Sequence, residues 1–159
     1  MLAFLTKNSS FGTNTNKKRG VNYMMKKILY ETEAINQDGL NGQSYVKNGL
    51  KVAVSNPREK TLGTNPEQLL GLSLCTCMNA TLQAIENEQG LKHTSEVRVS
   101  VTLIKGSTGL EFLVKARIHI PDVALSTAQK LVNLAKSRCP VSKLLSNSSN
   151  YDIEVVKDY

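Results

Sequence analysis

Three cysteines are the residues of this sequence with the widest chemical repertoire. Cys75 and Cys77 lie two positions apart in an apolar stretch, and Cys139 lies in the last quarter of the chain, directly before Pro140. On a helix, two positions correspond to roughly 200° of rotation, so Cys75 and Cys77 face apart and cannot form a CxxC-type redox pair. Each cysteine taken alone fits a small core residue as well as a reactive thiol, so its surroundings must decide.

Metal binding and disulfide scaffolding are the other common uses of cysteine. A zinc site would need four ligands from the three cysteines, His93 and His119, whose spacing matches no zinc motif, so we expect no metal. Three cysteines in 159 residues do not build a disulfide scaffold, which favours a reducing cytoplasm. Cys139 precedes the first residue of a predicted short helix, where backbone N–H groups are expected to lower its pKa.

A long helix is predicted to carry Cys75 and Cys77. Residues 64–67 (Thr-Asn-Pro-Glu) combine a capping side chain, a proline for the first turn and an acid at the positive end of the helix dipole. Gly90 ends the helix after about Gln89. Its apolar residues fall on almost every face, so the helix should be buried on all sides. Because so small a chain can hardly surround it, we expect a second chain to cover part of it.

Alternating apolar residues and turn signals predict the strands around this helix. They fall at 26–35, 43–46, 50–54, 96–104, 110–120 and 151–156. A second helix is predicted from a Ser126 cap to about Arg138, and a short helical turn over 141–145. The order β-β-β-α-β-β-α-β predicts an α+β fold with antiparallel hairpins.

Two motifs make the chain similar to a known family. Residues 63–69 (Gly-Thr-Asn-Pro-Glu-Gln-Leu), followed by an apolar helix with Cys77, resemble the first motif of the OsmC/Ohr family of organic hydroperoxide reductases. Residues 135–142 (Ala-Lys-Ser-Arg-Cys-Pro-Val-Ser) resemble its second cysteine motif. The resemblance covers about residues 26–159. It implies an OsmC/Ohr-like fold with antiparallel sheets, a long buried central helix and an intertwined homodimer with sites at the subunit boundary.

The resemblance also implies roles for individual residues. Cys77 matches the cysteine that attacks the peroxide, and Cys139 matches the cysteine that then forms a disulfide with it. Glu67 matches an acid that helps to hold a catalytic arginine, whereas Cys75 matches no catalytic position and is expected to be a core residue. The implied activity is a thiol peroxidase that converts an organic hydroperoxide to an alcohol. No bound cofactor is implied, and an external dithiol, typically the lipoyl group of a protein, regenerates the thiols.

One position departs from the family pattern. The loop after the first strand usually carries the catalytic arginine, and Gln37 lies about where it is expected. No arginine occurs between residues 28 and 57, so Arg58 and Lys60 are the nearest substitutes, with solvated loop charges as the simpler interpretation. The alternative function is therefore an OsmC-like stress-response or binding protein with weak or no peroxidase activity.

Helix geometry gives a separate reason to expect a dimer. Glu67 and Cys77 are ten positions apart on one helix, which is about 15 Å along its axis. Glu67 therefore cannot easily serve the Cys77 of its own chain, but it could serve that of a partner.

The basic composition points to few other partners. The net charge is +7, but residues 1–24 contribute +4 with no acid, and the remaining +3 is ordinary for a globular domain. Trp is absent and aromatic residues make up 5%, which argues against nucleic-acid stacking. The sequence contains no run of about 18 apolar residues, so no membrane-spanning helix is predicted.

We predict a disordered leader over 1–24, with a translation start at Met24 or Met25 as an alternative, and one domain over 25–159.

Overall fold

The computed structural model describes residues 27–59 and 61–159, so the predicted leader lies outside the described residues. The chain divides into two units, Met1–Glu33 and Ala34–Tyr159. In the first unit, residues 27–33 are exposed and have no regular secondary structure. The predicted first strand is therefore wrong over 27–33.

The first sheet contains three antiparallel strands in the order β1-β2-β3. They are β1 (Ala34–Asn36), β2 (Gln43–Val46) and β3 (Lys51–Ala53). Ala34 pairs with Val46, and the chain turns immediately after Val46, where Gly49 N–H donates to the Val46 carbonyl at 2.9 Å. Strand β1 thus begins at Ala34 because β2 offers no residue beyond Val46 with which earlier residues could pair.

A close approach of two segments connects this sheet to the long helix. Val54 and Thr64 form an isolated parallel bridge, and Thr64 N–H donates to the Ala53 carbonyl at 2.8 Å. A Cβ atom on Gly63 would lie 2.8 Å from the Ser55 Oγ and 3.0 Å from the Ser55 backbone nitrogen. Glycine at this position is therefore required by the bridge itself.

Helix α1 (Pro66–Glu88) begins as the sequence predicts. The Asn65 side chain accepts a hydrogen bond from Gln68 N–H at 2.9 Å, which satisfies one of the free N–H groups of the first turn. In the single chain the helix buries one stripe, formed by Leu74, Met78, Leu82, Ile85 and Glu86. Leu72 is 61% exposed, so the expected burial on all sides is not achieved by this chain alone.

The second sheet has the order β4-β5-β6 and supports α1. Strands β4 (Glu96–Lys105) and β5 (Leu110–His119) form an antiparallel hairpin, whereas β6 (Tyr151–Val155) is parallel to β5. The predicted antiparallel hairpins are thus confirmed, whereas the expectation of antiparallel sheets is wrong for the β5–β6 pair. The connection from β5 to β6 runs through two helices, and a parallel pair of strands needs a crossover of this kind.

Two helices fill this crossover. They are α2 (Leu125–Arg138) and α3 (Pro140–Leu145), separated by Cys139 alone. Helix α2 begins one residue before the predicted cap, with Ala124 at the N-cap position and no side-chain capping bond, so the predicted role of Ser126 is wrong. No helix of the described part is both long and apolar enough to cross a membrane.

The hydrophobic core lies between α1, α2 and the second sheet. One cluster joins α1 to α2 and to the end of β5, with Met78, Leu82, Ile118, Leu131 and Cys139 among its buried members. A second cluster joins Leu74 of α1 to Val114 and Ala116 of β5. Cys77 packs at the edge of the first cluster. The core therefore positions both Cys77 and Cys139.

Candidate functional site

Cys77 and Cys139 form a close pair of thiols within one chain. Their Sγ atoms lie 3.0 Å apart although 62 positions separate the residues in sequence. Cys139 is 0% exposed, whereas Cys77 is only partly buried. A reagent from solution therefore meets Cys77 before Cys139. We call Cys77 and Cys139 the thiol pair.

A sharp corner between α2 and α3 presents the sulfur of Cys139 to α1. Cys139 has φ −65° and ψ 118°, which is extended rather than helical. The following Pro140 enforces this conformation, because its ring disfavours the α region for the preceding residue. The same residue ends α2 and caps α3, and Ser142 N–H donates to the Cys139 sulfur at 3.4 Å.

Burial dominates the electrostatics of Cys139. Desolvation and the adjacent Cys77 sulfur raise the pKa of the Cys139 thiol, although backbone N–H groups of Ser142 and Val141 lower it in part. The expectation that backbone N–H groups lower this pKa overall is therefore wrong. The reason is that these hydrogen bonds do not compensate for removing the thiolate from water. At neutral pH Cys139 is a protonated thiol.

Two further polar residues lie beside the thiol pair. Ser142 is 0% exposed, and its hydroxyl oxygen accepts a hydrogen bond from the Tyr151 hydroxyl at 2.9 Å. Burial raises the pKa of Tyr151, with Cys139 and Cys77 adding to the shift and the Ser142 hydrogen bond opposing it. Neither residue was predicted from the sequence. The three-residue spacing from Cys139 to Ser142 is a local capping signal, whereas only the tertiary structure brings Tyr151 there.

An ion pair fastens the corner to the end of α1. The two guanidinium nitrogens Nη1 and Nη2 of Arg138 each donate to one carboxylate oxygen of Glu88 at 2.6 Å. The hydrogen bond from Arg138 lowers the pKa of the Glu88 carboxyl, and Glu88 in turn raises that of Arg138. The residue next to Cys139 is thus tied to the helix that carries Cys77.

Glu67 and Arg58 line the same cavity. This cavity, which we call the Arg58 cavity, has a volume of about 320 Å³. Most of its other walls are apolar, with Leu40, Leu103, Leu110 and Phe112 among them. The Oε2 atom of Glu67 is buried and has no hydrogen-bond partner within the described residues. A buried carboxylate oxygen in this state is available to a cation or a hydrogen-bond donor.

The other candidates for the arginine position lie elsewhere. Gln37 is exposed in the loop after β1 and is not among the residues that line the Arg58 cavity. Lys60 lies outside the described residues. Of Gln37 and Arg58, the two residues predicted for the arginine position, Arg58 is therefore the one that lines a cavity with Glu67.

Cys75 is not a core residue in this chain. It is partly exposed and lines a groove between α1 and β4 together with Leu72 and Val99. Its thiol donates to the Leu72 carbonyl at 3.4 Å. The prediction failed because Cys75 lies off the buried stripe of α1. Among the described residues, no group of three or more His, Cys, Asp or Glu side chains could hold a metal ion.

Comparison with known proteins places the chain in a family. Residues 58–154, more than half of the chain, match the family described as OsmC-like protein. This chain belongs to the OsmC-like protein family. The matched segment of this OsmC-like protein contains Arg58, Glu67, the thiol pair and Tyr151.

Relatives at moderate identity carry names from peroxide defence. The organic hydroperoxide resistance protein OhrB of Bacillus subtilis is 32% identical over 100 residues, which cover 62% of this chain and 72% of OhrB. Peroxiredoxin OsmC of Escherichia coli is 30% identical over 97 residues, which cover 58% of this chain and 68% of the relative. At the family level, these similarities support a peroxidase-type role.

A solved structure shares the fold over almost all of its length. A protein from Lactobacillus casei described as a redox protein is 49% identical, with a TM-score of 0.82. The match covers 87% of this chain and 98% of that one. The organic hydroperoxide resistance protein OhrB of Bacillus subtilis has a similar structure, with 28% identity and a TM-score of 0.72 over 80% of this chain and 98% of that one. The mixed α+β arrangement described above therefore matches that of OsmC/Ohr structures.

Proposed function

We propose that this OsmC-like protein is a thiol peroxidase that reduces organic hydroperoxides to alcohols. The observation that carries the proposal is the 3.0 Å separation of the Cys77 and Cys139 sulfur atoms. A disulfide needs an S–S distance of about 2.05 Å, so an approach of roughly 1 Å completes the bond. The difference in exposure assigns the order, with Cys77 reacting first and Cys139 second.

In the first step, the Cys77 thiolate attacks the distal oxygen of the peroxide. The O–O bond breaks, an S–O bond forms, and the alkoxide takes a proton to leave as the alcohol. Cys77 is then a sulfenic acid, with sulfur oxidised by two electrons and the peroxide reduced by two. Cys139 is protected from the peroxide because it has no exposed surface.

In the second step, Cys139 attacks the Cys77 sulfenic sulfur. The S–OH bond breaks, the S–S bond forms, and the hydroxide leaves as water with the proton that Cys139 gives up. Disulfide formation removes the sulfenic acid before a second peroxide can oxidise it to a sulfinic acid. The pair thereby protects its own more reactive member.

An external dithiol must then restore the thiols. The disulfide is reduced by exchange. One sulfur of the dithiol attacks the protein disulfide to form a mixed disulfide, and the second sulfur then attacks the first, so that the dithiol leaves as an internal disulfide. A lipoyl-type dithiol, carried by a protein, fits a buried Cys139 because it needs to attack only the accessible sulfur, that of Cys77. This cycle requires a reducing compartment, which we propose is the cytoplasm.

We assign the cation of the site to Arg58, with Glu67 as its orienting acid. The two residues line one cavity, and Glu67 has a buried oxygen free to bond a guanidinium. A fixed positive charge at the peroxide favours the thiolate and the departing alkoxide. The apolar walls of the Arg58 cavity suit an alkyl or acyl peroxide better than hydrogen peroxide.

A homodimer would bring this cavity to a thiol pair. Glu67 lies about 15 Å along α1 from the Cys77 of its own chain, so a partner is needed to close the distance. Leu72, 61% exposed, and the half-buried Val97, Val99 and Val101 border a groove of about 420 Å³ between α1 and β4. An apolar surface of this kind is what a second copy of the chain would cover.

The direct test is consumption of cumene hydroperoxide with a dithiol as the reductant. We expect the Cys77→Ser variant to lose at least about 1,000-fold in rate, since it lacks the nucleophile. Cys75→Ser is the matched control, because its thiol lies on the same helix but away from the pair, and it should keep the wild-type rate. Retention of the wild-type rate by Cys77→Ser would refute the proposal.

A second function remains supported by one observation. Gln37 stands near the family's arginine position and is exposed, so activation of the thiolate through that loop is missing. An OsmC-like stress-response or binding protein with little peroxidase activity would fit. One equivalent of peroxide distinguishes the two functions: the peroxidase loses two thiols and gains a Cys77–Cys139 disulfide, whereas the binding protein keeps all three thiols.

A further inference from the structure

A continuous line of contacts leads from the second sheet to the buried sulfur of the thiol pair. Tyr151 is fixed in β6 by its pairing with Val114 of β5. Its hydroxyl donates to the Ser142 hydroxyl oxygen at 2.9 Å, and the Ser142 N–H donates to the Cys139 sulfur at 3.4 Å. The proposed peroxidase cycle has so far used neither Ser142 nor Tyr151.

We infer that Ser142 and Tyr151 are positioning residues for disulfide formation, which hold the Cys139 sulfur at attacking distance from Cys77. The inference rests on the proposed function, and it concerns the second step only. Neither residue touches the peroxide. Their role is to fix the nucleophile of the condensation.

Cys139 needs such support because the corner it occupies is short. It belongs to neither helix interior, and the N–H···S hydrogen bond from Ser142, at 3.4 Å, joins its sulfur to the first turn of α3. Ser142 is fully buried and its hydroxyl is held by Tyr151, so the Ser142 N–H cannot drift away from the sulfur. Without the Tyr151 hydroxyl, the buried Ser142 oxygen loses this partner and α3 can shift to find another.

A small shift matters because the reaction is sensitive to distance. The sulfurs must close from 3.0 Å to about 2.05 Å, so a shift of α3 that carries the Cys139 sulfur away from Cys77 lengthens the distance that the reaction has to close. A misplacement of about 1 Å costs up to 100-fold in the rate of a positioned reaction. The line from β6 to Cys139 is thus expected to set the rate of condensation and not the rate of peroxide attack.

The experiment separates the two steps in a single turnover. Reduced protein is mixed with cumene hydroperoxide, and quenched samples are analysed by mass for sulfenic acid, disulfide and sulfinic acid at Cys77. We expect Tyr151→Phe to slow disulfide formation by roughly 10-fold to 100-fold, with the first step changed by less than about twofold. With excess peroxide, sulfinic acid should accumulate in this variant.

Two further variants make the result specific. Ser142→Ala removes the hydroxyl that accepts the hydrogen bond from Tyr151 and should slow disulfide formation to the same extent. This variant tests the positioning role if Tyr151→Phe does not fold. Tyr159→Phe is the matched control. The Tyr159 hydroxyl is also hydrogen-bonded, but to the carbonyls of Glu96 and Arg117, at 2.9 and 2.8 Å, and not to Ser142. It should keep the wild-type ratio of disulfide to sulfinic acid.

The failures of the two proposals are distinguishable. If the wild-type protein forms no sulfenic acid or disulfide, the proposed function itself is wrong. If the wild type shows both steps and condensation in Tyr151→Phe and Ser142→Ala stays within about twofold of it, only the positioning role is overturned.

Discussion

The thiol pair contains two cysteines that differ in their access to water. Cys77 is partly exposed and Cys139 has no exposed surface, yet the two sulfurs are 3.0 Å apart. A peroxide can therefore oxidise one sulfur, and the other is kept for the internal reaction. The cost of this protection is that burial holds Cys139 in its less nucleophilic, protonated form.

The raised pKa of Cys139 predicts the pH dependence of disulfide formation. A thiol whose pKa lies above the ordinary 9.0 gains thiolate about tenfold per pH unit until that higher pKa is reached. The condensation step should therefore continue to accelerate above pH 9, where an exposed thiol would level off. Single-turnover measurements from pH 7 to pH 10 test this, and a plateau below pH 9 would be inconsistent with it. Cys75→Ser should give the same profile.

At the scale of elements, the corner between α2 and α3 is held from two directions. Arg138 ties it to Glu88 at the end of α1, and Ser142 ties it to Tyr151 of β6. Neither tie involves a neighbour in sequence, so the position of Cys139 depends on correct docking of the crossover helices. This explains how one residue between two helices can hold a defined place beside α1.

The Arg138–Glu88 ion pair predicts a pH-dependent contribution to stability. Arg138 lowers the pKa of Glu88, so the stabilisation is present above the ordinary value of 4.5 and is lost as pH falls through the lower folded value. Glu88→Gln should be slightly less stable than the wild type at pH 7, and the difference should be smaller at pH 3. The contribution is small because both side chains are well exposed.

Urea unfolding at the two pH values measures this difference. Glu96→Gln is the matched control, since the Glu96 carboxylate accepts a single hydrogen bond, from Arg98 on its own strand, and this bond connects no separate elements. An effect of Glu88→Gln that is equal at pH 3 and pH 7 would argue against the ion pair as its cause.

A buried carboxylate joins the end of α1 to the start of β4. Glu86 is 1% exposed and contacts the Nδ1 atom of His93 and the hydroxyl of Ser95. We expect His93→Ala to lower the free energy of unfolding by about 1.5–3 kcal/mol, the usual worth of a hydrogen bond to a charged group. Thermal or urea unfolding gives this value.

Two comparisons make the Glu86 experiment informative. His119→Ala removes a ring with one hydrogen bond, to the Val156 carbonyl at 3.3 Å, and should cost less. The double variant Glu86→Leu, His93→Ala removes the buried charge together with its partner and should recover part of the loss. If His93→Ala leaves the free energy of unfolding unchanged, the hydrogen bonds of Glu86 are satisfied by Ser95 and solvent without His93.

At the scale of the whole molecule, the two parts of the proposed site, the thiol pair and the Arg58 cavity, lie apart in each chain. The thiol pair lies midway along α1, whereas Arg58 and Glu67 line a cavity at the start of that helix. Ten helical positions separate Glu67 from Cys77, about 15 Å, which is too far for one chain to complete the site. The activity of the protein should therefore depend on its assembly.

Complementation between inactive chains tests the shared site. Cys77→Ser and Glu67→Gln are each expected to have low activity. In a mixed dimer the intact Cys77 of one chain faces the intact Glu67 of the other, so one of two sites is complete. Co-expression of the two chains should restore about a quarter of wild-type activity, since about half of the dimers are mixed.

A second mixture provides the control for this experiment. Cys77→Ser and Cys139→Ser place both substitutions in the thiol pair, which one chain supplies by itself. Their mixed dimer therefore has no complete pair and should form no Cys77–Cys139 disulfide. Restoration in this mixture, or none in the first, would show that the site is not divided as proposed.

Local signals in the sequence determined much of the framework. The cap at Asn65, the proline at the start of α1 and the break at Cys139-Pro140 lie where expected, because each depends on backbone groups within four residues. The two motifs also identified the family and the cysteines that form the pair. The predicted antiparallel hairpins are confirmed in β2–β3 and β4–β5, and Asn48 and Gly109 in their turns have positive φ angles of 60° and 141°.

Only the tertiary structure decided the features that depend on distant partners. The parallel pairing of β6, the irregular conformation of residues 27–33, the exposure of Cys75 and the raised pKa of Cys139 all differ from the predictions. Strand direction is set by the path of a crossover, and a pKa is set by burial. Neither is encoded in the few residues on either side, so the contacts of Ser142, Tyr151 and Arg138 became visible only when the chain was folded.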